Sequence, residues 1–293
     1  MKKIGLYIMG FKGLSCLQAI VDAGKTDCIA VVIGSKDESI QNDYYEAIAT
    51  LCNKINIPFK DRKENNSITA TVVIAISWRW IIKLSQETPL IVFHDSLLPR
   101  YRGFAPLVNS LVNGEKKIGV TALFASEEYD KGPIIMQSSV DITYPIKIES
   151  AIDKVSVCYS GIMLQLMDLL VEGNDIISHP QDETAASYSL WLDENDYKIN
   201  WLQSAETIKR FIDSVGYPYT GASSGINGNK VRIYEAEVQD DVQIENRTVG
   251  KVIFIKDNYP VVVCGQGLLK ILKIENVEGK SLLPLKNFRT QFL

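Results

Sequence analysis

Histidine is the scarcest chemical resource in this 293-residue sequence, with only His94 and His179. Any mechanism that needs an imidazole must use one of them, and a multi-histidine metal site is close to excluded. The five cysteines (Cys16, Cys28, Cys52, Cys158 and Cys264) are dispersed, without a CxxC pair. They build no zinc site and read as buried or free thiols in a reducing compartment. An excess of positive charge is also missing: 31 Lys and Arg stand against 35 Asp and Glu, a formal net charge of −4. A phosphate-backbone binder needs the opposite balance, so nucleic acid is not the expected partner. No apolar run approaches the length that crosses a bilayer. The run after the initial Met-Lys-Lys is too short for a signal-peptide core. These absences together predict a cytoplasmic protein with no membrane partner and no metal.

What remains is the composition of a globular chain, 46% hydrophobic and 23% charged. The first half alternates strand and helix signals. Residues 3–9 form a short apolar strand, Gly10-Phe11-Lys12-Gly13 a turn, and 14–22 a helix. Strand 28–33 and helix 44–55 follow, with Asn42 or Asp43 available as a cap. Residues 71–77 are a near-continuous β-branched run, typical of a strand covered on both faces. Strand 90–93, helix 106–113, strands 120–125 and 134–140, and a long helix 149–172 complete the series. This grammar predicts an α/β fold, with a mostly parallel sheet and helices on both faces. Residues 174–200 are polar and irregular and read as a linker with some order. Beyond helix 205–215, strands 230–238, 249–255, 260–264 and 268–275 predict a small β-rich, barrel-like domain. The expected domains are 1–190 and 191–293.

Several segments carry possible chemistry. The turn at 10–13 lies where dinucleotide-binding proteins place GxGxxG, but the first glycine would be Ile8, so that fingerprint is broken. It is either a plain βα turn or a loop beside a substrate at the carboxyl edge of the sheet. His94 directly follows a buried strand at that same edge, and is the best acid–base candidate in the chain. His179, beside Pro180 in the polar stretch, reads as a surface residue. Asp130, in the acidic loop 126–132, would hold the imidazole in one orientation, or else simply ends a strand in an Asp-Lys-Gly turn. Trp78 and Trp80 follow the 71–77 strand. They are either core packing or a slot for a flat ring.

Together these segments resemble the 10-formyltetrahydrofolate-dependent formyltransferases. That family includes methionyl-tRNA formyltransferase and the sugar N-formyltransferases. The carrying residues are His94-Asp-Ser-Leu-Leu-Pro-Arg-Tyr-Arg-Gly103, similar to the family's HxSLLPxYRG, and Asp130-Lys-Gly-Pro-Ile-Ile135. Asn113-Gly-Glu115, Gly119-Val-Thr121, Lys198-Ile-Asn-Trp201, Tyr217-Pro-Tyr-Thr-Gly-Ala222 and Asn227-Gly-Asn-Lys230 follow in the family's order. Gly279-Lys280 and Phe288 extend the likeness over nearly the whole chain.

The resemblance implies a Rossmann-like formyltransferase sheet and transfer of a formyl group from 10-formyltetrahydrofolate to an amine. His94 matches the family's catalytic histidine and Asp130 the aspartate that orients it. Trp80, Ile81 and Ile82 fall near the pterin-contacting segment, and Ser126, Glu127, Glu128 and Tyr129 match the loop that closes over the same ring. One position departs from the family: where it usually has Asn, an amide donor to the developing oxyanion, this chain has Val92, which cannot donate.

For the acceptor, the modest acidity favours a nucleotide-linked amino sugar, of the kind used in polysaccharide biosynthesis, over tRNA. The segment 35–42 carries Lys36, Asp37 and Glu38 but no cluster of Lys or Arg. Trp191, Tyr197 and Trp201 are candidates to stack a base or sugar, or else to pack between domains. Lys12, Arg100 and Arg102 are candidates to meet a diphosphate. A tRNA-acting enzyme and a non-catalytic folate- or nucleotide-binding relative are the alternatives, and a second copy of the chain is a further candidate partner.

Overall fold

Apolar β-branched runs supply the central strands of the first region, and the glycines between them supply the turns. Strand β1 (Ile4–Ile8) enters helix α1 (Gly10–Asp22) directly. Gly10 makes that corner in the left-handed region, at φ 64°. Next come β2 (Ile29–Gly34), α2 (Tyr45–Lys54), β3 (Phe59–Asp61), β4 (Val72–Ile76) and β5 (Leu90–His94). After β6 (Arg102–Gly103) and α3 (Pro106–Val112) the chain forms β7 (Lys117–Phe124), β8 (Ile134–Asp141), α4 (Ile148–Glu172) and β9 (Tyr188–Ser189). The computed structural model describes residues 3–64, 69–85 and 87–293.

Seven strands pair in the order β3-β2-β1-β4-β5-β7-β8. The first five run parallel, while β7 and β8 are antiparallel additions. Every residue of β1 and β4 is buried, as continuous apolar runs in a covered parallel sheet should be. Each such Ile or Leu contributes ~1.5–3 kcal/mol on burial. Helices α1 and α4 lie on the face that carries Ile8 and Phe93. The opposite face carries Tyr7, Val31, Ile33, Val73 and Ala75, with Val92 beside them on β5, covered by Trp78, Ile82 and Leu84. Over this cluster the helix expected on each face is replaced by the irregular 77–85 stretch.

Helix α4 corrects one expectation. It is long and apolar enough to cross a bilayer, with a mean hydropathy of 1.4 over its most apolar window. Half of that window is nevertheless buried in the protein, through residues such as Val155, Tyr159, Ile162, Met163 and Leu166. Their three-and-four spacing gives the helix a core-facing side.

The chain divides into two compact units. One comprises 1–110, 116–142 and 150–190; the other comprises 111–115, 143–149 and 191–293. The second unit contains α5 (Ala205–Val215), capped by the Ser204 hydroxyl. It also contains β10 (Ala222–Ile226), β11 (Asn229–Gln239), β12 (Val252–Lys256), β13 (Tyr259–Val263) and β14 (Leu268–Asn276). These strands form one antiparallel sheet in the order β10-β11-β14-β13-β12. The C-terminal residues hydrogen-bond to both edges of it: Leu293 exchanges bonds with Gly225 beside β10, and Phe292 and Thr290 meet Gly250 and Val252 at β12. The sheet is thereby closed towards a barrel. Gly250 is required there, because a Cβ would lie 2.0 Å from the Phe292 carbonyl oxygen.

Candidate active site

Alternation along β5 sends consecutive residues to opposite faces. Phe93 and Asp95 point towards α4, where Phe93 meets the Tyr159 ring and Asp95 accepts the Tyr159 hydroxyl at 2.5 Å. Lys12, on the first turn of α1, pairs with the same Asp95 carboxylate. Val92 and His94 point the other way.

The imidazole of His94 is buried, 7% exposed, and its Nε2 lies 2.7 Å from the Tyr101 carbonyl oxygen. A carbonyl only accepts, so Nε2 carries the hydrogen of that bond. Nδ1 is left facing Asp130, 3.4 Å from Oδ1. The other oxygen of Asp130 accepts the Gly103 N–H at 2.8 Å. Asp130 itself holds a left-handed backbone, φ 57°. Gly132 lets the chain double back two residues later, since a Cβ there would lie 1.7 Å from the Phe124 carbonyl oxygen. Tyr101 is left-handed as well, φ 59°. Such backbone costs on the order of 1–3 kcal/mol per residue and persists only where the surroundings enforce it.

The surroundings do enforce it. Buried Thr121, opposite His94 on β7, donates to the Ser96 carbonyl and accepts the Leu98 N–H. Gln137 bonds both Thr121 and the Leu98 carbonyl. The 181–189 segment holds the remainder. The Ser187 hydroxyl accepts the Tyr101 N–H, and Arg102 and Phe104 pair with Ser187 and Ser189 through the backbone.

Ile82 and Val92 pack in one apolar cluster on the His94 face. Trp80 stands at its edge, 5.2 Å from Trp78, with the Arg62 guanidinium 4.0 Å from its ring. Ile81 is fully outward. In the other loop Ser126 bonds the Glu128 carbonyl, Glu128 pairs with Lys131, and Glu127 is exposed. Tyr129 is largely exposed and lies 6.4 Å from the ring of Phe104, which is also exposed. The structure thus brings His94 and Asp130 together, with exposed aromatic groups on the flanking loops.

Other candidates are placed differently. Arg102 is fully enclosed, and all five of its N–H donors are taken by Gln181, Glu183 and Tyr188. It has no donor left for the diphosphate expected of it. Lys12 is similarly drawn inward by Asp95. Trp191 and Tyr197 lie in the second unit, Trp191 exposed and Tyr197 near Arg232. Trp201 packs inside that unit against Phe292 and bonds Ser224. The cysteines are buried, and burial pushes the Cys52 and Cys264 thiols up to about 12, so they are poor nucleophiles. Among the described residues no group of three His, Cys, Asp or Glu stands together to hold a metal.

The residues present suit a flat, partly apolar ring: an apolar cluster with Trp80 at its margin, next to the His94–Asp130 pair. Sequence reasoning missed Gln181, Ser187, Gln137 and Tyr159, and it gave no role to Asp95 and Thr121 beyond their place in the family-like segments. The roles of all six depend on partners remote in sequence.

Comparison with known proteins identifies a family. The formyl transferase family model matches residues 7–164, and that of the formyl transferase C-terminal domain matches 192–292. A methionyl-tRNA formyltransferase of Syntrophomonas wolfei is 34% identical over 225 residues, 75% of this chain and 70% of that protein. An N-formyltransferase from Helicobacter canadensis, in complex with folinic acid and dTDP-3-aminofucose, superposes with a TM-score of 0.68 at 17% identity. That match covers 94% of this chain and all of the other. HypX from Aquifex aeolicus, in complex with tetrahydrofolic acid, gives 0.63 at 17% identity over 96% of this chain and 45% of HypX.

Proposed function

The chain belongs to the formyl transferase family, and from that premise we propose that it formylates the primary amine of a nucleotide-linked amino sugar, with His94 and Asp130 as the acid–base pair. The one-carbon donor is 10-formyltetrahydrofolate, which supplies the formyl carbon that the amine attacks.

The observation that carries the reading is the orientation of His94. Its Nε2 is engaged by Tyr101, so Nδ1 is the nitrogen that exchanges a proton. An amine that attacks a carbonyl carbon must lose a proton. Nδ1 takes it, and the Asp130 carboxylate stabilises the resulting imidazolium. The same nitrogen returns the proton as the leaving nitrogen departs. A bound donor ring would be held on one side by Trp80 and Ile82, with outward-pointing Ile81 contributing only its backbone, and on the other by the loop of Ser126, Glu127, Glu128 and Tyr129. Val92 gives no oxyanion donor, which leaves backbone N–H groups, the Ser77 hydroxyl and the Trp80 indole as replacements. An absent donor costs on the order of 10²–10³ in rate.

Charge supports a small acceptor. Residues 191–293 hold thirteen Lys and Arg against thirteen Asp and Glu. Lys209, Lys230, Arg232, Arg247, Lys270 and Lys273 are already in ion pairs. Exposed Trp191 offers a surface for a base. The second reading, methionyl-tRNA as acceptor, draws on the sequence relatives that carry that name. Incubation with 10-formyltetrahydrofolate and either a panel of nucleotide-linked amino sugars or methionyl-tRNA, read by product mass, decides between them. We expect a formylated sugar. Formyl-methionyl-tRNA with no sugar product would replace this reading with the second.

A further inference from the structure

We propose that Gln181 is a positioning residue for catalysis, holding Asp130 at His94 through a relay anchored on Arg102. Gln181 sits in the polar stretch that reads from sequence as a linker. Its side-chain Oε1 accepts two bonds from the Arg102 guanidinium, at 3.0 Å from Nε and 2.8 Å from Nη2. Its Nε2 donates to the carbonyls of Asp130, at 2.6 Å, and Gly132, at 2.8 Å. All four hydrogen-bonding positions of the amide are used.

The anchor cannot swing away. Arg102 is fully buried, and Glu183 grips the outer ends of its guanidinium at 2.7 and 2.8 Å. That contact, a bidentate charge-assisted pair, holds the Glu183 carboxyl below its usual range. At the other end of the relay, Asp130 is a non-glycine residue in left-handed backbone, a conformation that needs outside support. The two amide bonds fall on the carbonyls either side of the 130–132 turn. They therefore fix the direction in which the Asp130 side chain leaves the chain. The Gly103 N–H then fixes one carboxylate oxygen, and the other faces Nδ1.

Either half of the amide alone is insufficient. A group that only accepts would satisfy Arg102 but release the turn. This distinguishes a relay from a residue that merely neutralises a buried cation.

The proposal rests on the acid–base roles of His94 and Asp130, so the experiment carries Asp130→Asn as its reference. Gln181→Met removes both halves of the amide, while Gln181→Glu keeps the acceptor and loses the donors. Residues that orient the ligands of metal centres typically cost 10–100-fold when removed, and a loss of the same order is expected for Gln181. Steady-state rates with 10-formyltetrahydrofolate and the amine acceptor that the parent formylates should fall by about that factor in kcat for both variants. KM for either substrate should change less than about threefold. In the Asp130→Asn background, Gln181→Met should add less than about twofold, because the relay acts only through Asp130.

A second readout needs no turnover. With two histidines in the chain, ¹⁵N-histidine labelling resolves the His94 ring. Its resonances should move in both Gln181 variants in the direction seen for Asp130→Asn. If Gln181→Glu keeps more than half of kcat, if the loss persists undiminished in Asp130→Asn, or if the His94 resonances stay put, the relay is overturned. If Asp130→Asn itself keeps its rate, the acid–base reading falls first and takes the relay with it.

Discussion

His94 and Asp95 are neighbours at the end of one strand, yet they belong to two differently built regions. On the Asp95 side the bonds are short and direct, although the carboxylate itself keeps 20% exposure. The carboxylate is held by Lys12 and Tyr159, and burial, then the charge of Asp95, pushes the Tyr159 phenol well above its ordinary value, so it stays a neutral donor. On the His94 side the contact to Asp130 is a loose 3.4 Å, the backbone is left-handed at Tyr101 and Asp130, and the aromatic rings nearby are open. A strand end can thus be a rivet on one face and a workplace on the other. The slack is where a third group can enter.

The comparison breaks most visibly if the two sides respond alike. His94→Ala and Asp130→Ala should each lower kcat by ~10²–10⁴-fold and leave the thermal transition nearly in place. Turnover close to that of the parent in both variants would sink the assignment. The opposite profile is expected across the strand. Asp95→Ala leaves the Lys12 ammonium buried without its partner and should cost ~3–5 kcal/mol in denaturant unfolding. Tyr159→Phe, which removes one bond to a charged acceptor, should cost ~1.5–3 kcal/mol, and kcat of the folded fraction should stay near that of the parent in both. A kcat collapse at unchanged stability would place Asp95 in the chemistry. The smallest effect belongs to Val92→Asn, which puts an amide into the apolar cluster. It should fold with a loss of ~1–3 kcal/mol and change kcat less than tenfold. A rise approaching ~10²-fold would show that neither Ser77 nor Trp80 replaces the missing donor.

The legibility of the sequence follows the same division. The central strands of the first sheet could be read because both faces are covered and their residues run apolar without interruption, as at 72–76, while the short edge strand β3 carries no such run and was not read. His94 could be read because there was almost no other histidine to choose. The short pairings β6 with β9 could not, since two residues in a polar stretch carry no period. Arg102 looked available because a buried arginine and a surface arginine are identical letters; only Gln181, Glu183 and Tyr188, some eighty residues on, turn it inward. Lys12 and Asp95 were hidden for the same reason, with 83 residues between partners that meet directly. In α4, composition and placement disagree: its length and apolarity would suit a lipid environment, and its packing shows a core helix.

The bond from His94 Nε2 to the Tyr101 carbonyl also bears on proton traffic. A histidine with both nitrogens free can load at one and unload at the other, passing protons through in a single direction. This one has a single port. Whatever enters at Nδ1 must leave at Nδ1, so each cycle begins and ends with the ring in the same state only if substrate departure and proton departure share one opening. With His94 in its proposed role, the ring works as a loan desk rather than a conduit.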